Sequence, residues 1–304
     1  MENASGNVAD PRPPAVAVRG LTKRYGRVTA LDKVDFTVAR GEALALWGPN
    51  GAGKTTILRC LLGLARFSGE ARVEGIDPAR DGRRARRHVG YVPQQLPTPA
   101  MTVGELAAFV ARLKGLDGQA IGEPLTRLGI GHLGDRPLAA LSGGMKQRLG
   151  LALALVGAPT ILLLDEPTAN LDASGRSDLL QIVRELRAAG MALVFSSHRP
   201  EDVMALADRV LLLEAGRVRG TVSPAAFRER RREAARLVVT LRNGQRREAI
   251  ATLAEMGLEA NASDHVVRVA ISPTGKAAAI AALVAAGIDI DDVELEGEAW
   301  TDRP

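Results

Sequence analysis

Wholly apolar runs and runs of alternating polarity succeed one another along the chain, and each type predicts a different element. Glu42–Trp47, apolar after its first residue, and the wholly apolar Ile161–Leu164 and Ala192–Phe195 are stretches of strand length and read as strands buried on both faces. Val16–Gly20, Val34–Val38 and Arg72–Ile76 are short and half polar, with turn residues between them. They read as an antiparallel β region around the first buried strand. Val89–Val92 is a further strand ending at Pro93. Helical spacing covers Thr55–Leu62, and Thr102–Leu128 as two helices broken at Gly115–Gly118. It recurs over Gly143–Val156, stopped by Gly157 and Pro159, and over Ser174–Ala188. Val210–Leu213 and Val218–Val222, joined at Ala215-Gly216, read as a hairpin. Strands alternating with helices predict a parallel sheet covered on both faces, so the fold class is α/β.

The pattern changes beyond residue 222. A basic linker, 223–235, carries Arg228–Arg232, and after it come strand Leu237–Leu241, helix Arg246–Met256, strands Leu258–Ala262 and Val266–Ile271, helix Gly275–Ala286 and strand Ile290–Leu295. The order β-α-β-β-α-β is that of a small α+β ferredoxin-like unit, placed at 236–304. Residues 1–14 are polar and proline-rich without an apolar stretch, and read as a disordered tail rather than a signal peptide. The main domain is thus 15–222, with a helical subdomain at about 95–157.

A chain of 304 residues with 46% hydrophobic and 25% charged residues supports one large or two smaller cores. The net charge of +5, spread over this length, is weak evidence for nucleic acid, and none is expected as a partner. Arg80–Arg87 concentrates much of it and reads as a solvated face. Cys60 is the single cysteine, which excludes disulfides within the chain and suits a reducing, cytoplasmic setting. The longest apolar stretch, Leu149–Leu164, is broken by Gly157 and Pro159 and is short of the roughly 20 residues a membrane helix needs.

Gly48-Pro49-Asn50-Gly51-Ala52-Gly53-Lys54-Thr55 follows the first buried strand and opens a helix. Its spacing is that of a phosphate-binding loop. Glycines let successive N–H groups curl around an anion, Lys54 reaches the β- and γ-phosphates, and Thr55 presents a hydroxyl to Mg²⁺. Thr56 continues the same helix start. Leu162–Asp165-Glu166 delivers two acids at the end of an apolar strand, suiting Asp165 to Mg²⁺ and Glu166 to orienting an attacking water. Leu141-Ser142-Gly143-Gly144-Met145-Lys146-Gln147-Arg148 places a serine and two glycines at a helix start, again suited to gripping a phosphate.

With this last motif the chain resembles the ATP-binding cassette family over roughly residues 15–222. The resemblance implies a P-loop NTPase core with a RecA-like parallel sheet, an antiparallel β region and a helical subdomain. It implies that Ser142, Gly143, Gly144 and Gln147 act in trans, on the nucleotide of a second subunit. Two copies would then form two composite sites, and ATP and Mg²⁺ are the implied ligands. It further implies that Tyr25 stacks on adenine and that Gln94, with Gln95 beside it, contacts Mg²⁺ and water. Asp172 would face the dimer, and His198 would touch the γ-phosphate. Glu166, His198, Lys54 and Gln94 form the implied catalytic set.

The partners implied are a second ATPase subunit and separate membrane-spanning permease subunits, met on the inner face of the cytoplasmic membrane. Met101–Glu105 matches the segment that meets them. Leu113–Gly115 and Leu151–Leu155 resemble cassettes of ABC-2-type exporters, with a narrower likeness to the ATPase of the nitrous-oxide reductase maturation system. The alternatives are a soluble, non-transport ATPase of the same family, or an importer ATPase whose C-terminal unit senses a ligand; that unit also suits packing or dimerisation. The soluble alternative is disfavoured by a single cassette without inserted coiled coils.

Overall fold

The buried strands of the computed structural model lie side by side because their apolar runs leave no face for water. The structure describes residues 13–233, 235–242, 244–263, 265–271 and 275–297. The chain divides into two compact units, one ending at Val222 and the next beginning at Ser223.

In the first unit, β1 (Val16–Tyr25), β2 (Val28–Val38) and β4 (Ser68–Val73) form an antiparallel sheet in the order β2-β1-β4. A six-stranded sheet has the order β5-β6-β7-β3-β8-β9. Its strands are β3 (Ala43–Trp47), β5 (Val89–Val92), β6 (Ile161–Asp165), β7 (Ala192–Ser196), β8 (Arg209–Glu214) and β9 (Arg217–Val222). All neighbours are parallel except β8 and β9. Every residue of β6 and β7 is buried. Helix α1 (Lys54–Leu61) shares one apolar core with both sheets: Ile57, Leu58 and Leu61 pack with Leu21, Leu44, Leu46 and Leu163. Each such leucine contributes about 1.5–3 kcal/mol relative to an exposed one.

The remaining helices of this unit are α2 (Gly82–Arg87), α3 (Val103–Leu113), α4 (Gly122–Arg127), α5 (Gly143–Leu155), α6 (Ala173–Ala188) and α7 (Pro200–Leu206). Their starts are set by side chains. Thr102 and Glu105 form a reciprocal capping box on α3, Ser142 caps α5, and Asp172 caps α6 by accepting from Gly175 N at 2.8 Å. Each such cap is worth about 1 kcal/mol.

In the second unit, α8 (Pro224–Glu233) precedes β10 (Ala235–Leu241), α9 (Arg246–Glu255), β11 (Ala260–Ser263), β12 (Val266–Ala270), α10 (Lys276–Ala285) and β13 (Ile290–Gly297). The sheet order β11-β12-β10-β13, antiparallel throughout, is that of a ferredoxin-like unit. Leu253 and Leu283 from the two helices meet Leu237, Val239 and Val267 on one face of this sheet.

Several expectations need correction. The segment 223–235, read as a basic linker, is helical over α8, where the Ser223 hydroxyl accepts from Ala226 N at 3.2 Å. The strand expected at Arg72–Ile76 lies earlier, because Glu74 and Gly75 adopt positive φ (48° and 75°) and turn the chain so that Val73 bridges Ile76. The first strand does not stop at Gly20 but continues through register shifts to Tyr25. Within Arg80–Arg87 the five arginines are exposed, as a solvated face requires, and Gly82–Arg87 additionally forms a short helix, capped by Asp81 and anchored by buried Ala85. Helix α7 was not foreseen; Pro200 occupies its first turn, where a missing N–H costs nothing. The tail reading falls on residues 1–12, outside the described residues apart from Pro13 and Pro14.

Candidate active site

Three parallel strands end at one rim, and their carboxyl ends supply the site. The rim lies where the chain order of the sheet reverses around β3, the place where open α/β sheets bind ligands. From β3 the chain turns through Gly48–Gly53 into α1. Gly48 is compelled by packing, since a Cβ there would lie 2.1 Å from Leu213 O of β8. Gly53 has φ 104°, and a Cβ would meet Leu31 Cδ2 at 2.6 Å and Ala30 O at 2.8 Å. A cleft of about 600 Å³ opens over this loop, lined among others by Gly51, Lys54, Thr55, Gln94, Glu166 and His198. Asn50, Ala52, Gly53 and Thr56 also line it.

Lys54 is 7% exposed, and its Nζ donates to Gly48 O at 2.6 Å and Pro49 O at 3.0 Å. Burial lowers its pKa, while the charges of Glu166 and Asp165 pull it back up. Asp165, at the end of β6, accepts from Ser196 Oγ at 2.7 Å and from Thr55 Oγ1 at 3.2 Å. The next residue, Glu166, holds φ 48°, a conformation that costs a non-glycine residue about 1–3 kcal/mol and persists only where surroundings enforce it. Here Ser196 enforces it: Glu166 N donates to Ser196 Oγ at 2.9 Å. The turn aims the Glu166 carboxylate at two partners. Its Oε2 accepts from Gln94 Nε2 at 3.1 Å and lies 3.1 Å from His198 Nδ1. Gln94 rather than Gln95 is the glutamine bonded to Glu166.

Other predicted positions lie elsewhere. Ser142, Gly143, Gly144 and Gln147 are not among the residues lining this cleft. Ser142 Oγ accepts from Met145 N at 3.3 Å, Gln147 is 7% exposed within α5, and a Cβ at Gly143 would lie 2.9 Å from Asn170 O. The helix start therefore packs on the loop that leads to Asp172. Tyr25 lies outside the cleft lining, exposed at the end of β1, with Lys23 Nζ 4.5 Å above its ring centroid. Ser196, Ser197, Thr168 and Asp202 escaped the sequence reading although all four are buried here. The signal available was the polar ending of an apolar strand, Phe195-Ser196-Ser197, but serines there are ordinary.

Cys60 sits fully buried on α1, and burial raises its thiol to about 11. Native protein should therefore resist iodoacetamide at pH 8, with stoichiometric labelling appearing only in denaturant. Rapid labelling of folded protein would contradict the packing of α1. Because this folded-state value lies above the ordinary thiol value of 9.0, the group also removes stability as pH rises from about 9 toward 11.

Comparison with known proteins places these features. Residues 31–169 match the family model for the ABC transporter. The chain is 44% identical over 224 residues to the cobalt import ATP-binding protein CbiO of Rhodobacter capsulatus, covering 70% of this chain and 80% of the relative. The chain belongs to the ABC transporter ATP-binding proteins. As such it is an ATPase whose hydrolysis is coupled to transport by a membrane system. Another relative, the daunorubicin resistance ATP-binding protein DrrA3 of Streptomyces coeruleorubidus, is 34% identical and aligned over 92% of both chains. The Nod factor export ATP-binding protein I of Ralstonia nicotianae is 38% identical, covering 67% of this chain and 65% of the relative. Among solved structures, cbiO1 of Clostridium perfringens, described as part of a cbiONQ transporter complex, superposes with a TM-score of 0.64 at 30% identity, covering 71% of this chain and 91% of that one. ABC ATP-binding proteins thus serve both import and export. Among the described residues of this ABC protein, no helix is long and apolar enough to cross a membrane.

Proposed function

We propose that this ABC protein hydrolyses ATP as one of a pair of identical subunits, each nucleotide held between the phosphate loop of one copy and Ser142–Gly144 of the other, and that the pair drives permease subunits for export. The observation that carries the pairing is the separation just described. Lys54, Thr55, Gln94, Glu166 and His198 share one cleft, while Ser142, Gly143 and Gly144 are not part of its lining. A site whose phosphate grip is divided in this way is complete only with a second copy.

The donors fit Mg²⁺: Thr55 of the cleft lining and the adjoining Asp165 present oxygens, Oγ1 and Oδ1, 3.2 Å apart, and such a hard cation takes few protein ligands beside phosphate oxygens and water. When bound there it would neutralise charge on the phosphates. Thr55 and Asp165 would hold it, with Gln94 nearby. Lys54 places its ammonium among the β- and γ-phosphate oxygens, and the loop N–H groups bind the same charge. Glu166 orients water in line with the γ-phosphorus and accepts its proton, while Gln94 and His198 keep the carboxylate aimed. Asp172 faces the partner. Tyr25 offers its exposed ring to adenine. The proposed domains are residues 15–222 for this engine and 236–304 for an accessory unit, the interval being the helix α8 and its flanks.

Export is favoured because the relative aligned over 92% of this chain, a span that takes in part of the second unit, is named for drug resistance, whereas the cobalt import relative covers 70%. The likeness to the nitrous-oxide reductase maturation ATPase rests on Leu113–Gly115 and Leu151–Leu155 alone. Placement on the cytoplasmic face follows from the permease partners. The pairing is tested by sedimentation of Glu166→Gln protein with ATP. It should run as a dimer, and adding Ser142→Arg should return it to monomer while each copy still binds one ATP. A dimer that survives Ser142→Arg would overturn the composite site. Transport into inside-out vesicles, with ATP added outside, tests the direction.

A further inference from the structure

Asp202 is the most deeply buried carboxylate among the described residues, at 1% exposure, and no motif reading accounts for it. It lies in the first turn of α7, and three separate segments point polar groups at it. Its Oδ2 accepts from Thr168 Oγ1 and from Ser197 Oγ, the latter at 2.9 Å, and its Oδ1 accepts from Arg176 Nε at 2.8 Å. Thr168 and Ser197 are each 2% exposed. A carboxylate so far from water is tolerated only when its lone pairs are filled and its charge is paired, and these three donors do both.

The placement of the donors gives the cluster its meaning. Thr168 lies two residues beyond Glu166, and Ser197 immediately precedes His198. The two residues that meet at 3.1 Å in the cleft are therefore each tethered, through a neighbour, to the same buried carboxylate. Arg176 is in the first turn of α6, the helix capped by Asp172. Arg148 of α5 pairs with Asp178 of that same helix at 2.7 Å, so the cluster also joins the helix opened by Ser142. Ser197 is fixed further by Arg199 N, which donates to its Oγ at 3.0 Å.

We propose that Asp202 is a positioning residue for hydrolysis: it holds the loop after β6 and the loop after β7 in register, so that Glu166 and His198 meet, and it anchors that pair to α6. It is not among the residues lining the cleft. The inference rests on the roles proposed for Glu166 and His198, which the controls below examine separately.

The test compares Asp202→Asn, Thr168→Val and Ser197→Ala with Thr168→Ser, all in the full chain, with ATP turnover measured under saturating nucleotide and melting followed in parallel. Asp202→Asn should lower kcat by about 10–100-fold with KM for ATP within about 3-fold, the size expected when reacting groups are displaced by up to an ångström. Thr168→Val should act in the same direction, and Thr168→Ser should restore turnover by returning the hydroxyl. In a His198→Ala background, Asp202→Asn should cost little more, because both act through one pair. If Asp202→Asn fails to fold, the two hydroxyl deletions carry the test. Folded variants with kcat within 2-fold of the parent, or losses that multiply fully with His198→Ala, would overturn the proposal. Normal turnover in Glu166→Gln would instead remove the reading on which it rests.

Discussion

Replacing Glu166 with glutamine should lower ATP turnover by about 10²–10⁴-fold and leave ATP affinity within a few-fold. Glutamine has nearly the same shape, so the positive φ at this position and the Ser196 bond to its backbone N–H persist. Its carbonyl oxygen can still accept from Gln94. What disappears is the charge and basicity of Oε2, the atom that faces both Gln94 and His198 at 3.1 Å. The phosphate loop is untouched. Binding and chemistry should therefore separate: equilibrium binding of ATP stays near normal while single-turnover hydrolysis collapses. Near-normal hydrolysis would take Glu166 out of the role, and equal losses in both would mean that the substitution had disturbed the loop.

Replacing Lys54 with alanine should lower turnover by about 10²–10³-fold, comparable to the loss of one preorganised donor at a developing charge. Unlike the change at Glu166, it should also weaken ATP binding, because in the proposed site the ammonium faces the same phosphates in the ground state. It further removes the hydrogen bonds to Gly48 O and Pro49 O that hold the turn. Lys54→Arg should not rescue. A planar guanidinium does not fit a position 7% exposed, and it cannot converge three donors on one point. Calorimetric ATP titration beside a turnover assay distinguishes the outcomes, and unchanged affinity in Lys54→Ala would contradict the placement of the phosphates over this loop.

Legibility in the sequence followed how local the governing physics was. β3, β6 and β7 were readable because strands covered on both faces are apolar at every position, without help from neighbours in space. Glycines at 48–53 were readable because a curled loop needs positive φ at some positions and bare backbone at others. The helix α2 was not readable, since its single buried residue, Ala85, cannot outweigh four arginines in an apolar pattern. Asp202, Thr168 and Ser197 were invisible for a related reason. Buried polar residues are defined by their partners, and these partners lie on separate segments of the chain. The Lys23 ammonium over Tyr25 went unseen because the first strand was expected to end at Gly20, whereas residues two apart on one strand share a face.

By itself the sequence identified a phosphate-binding loop, nominated the residues that would grip a triphosphate, and pointed to the family to which the motifs belong. All of these depend on residue types at short fixed intervals. Tertiary structure alone decided which acids meet which partners. The order β6-β7-β3 brings Asp165, Ser196 and Thr55 to one rim, and the forced turn at Glu166 aims its carboxylate at Gln94 and His198. The same packing leaves Ser142 out of the lining of that cleft. Strand order is set by how apolar faces cover one another over the whole unit, a sum over long-range contacts that no interval along the chain records.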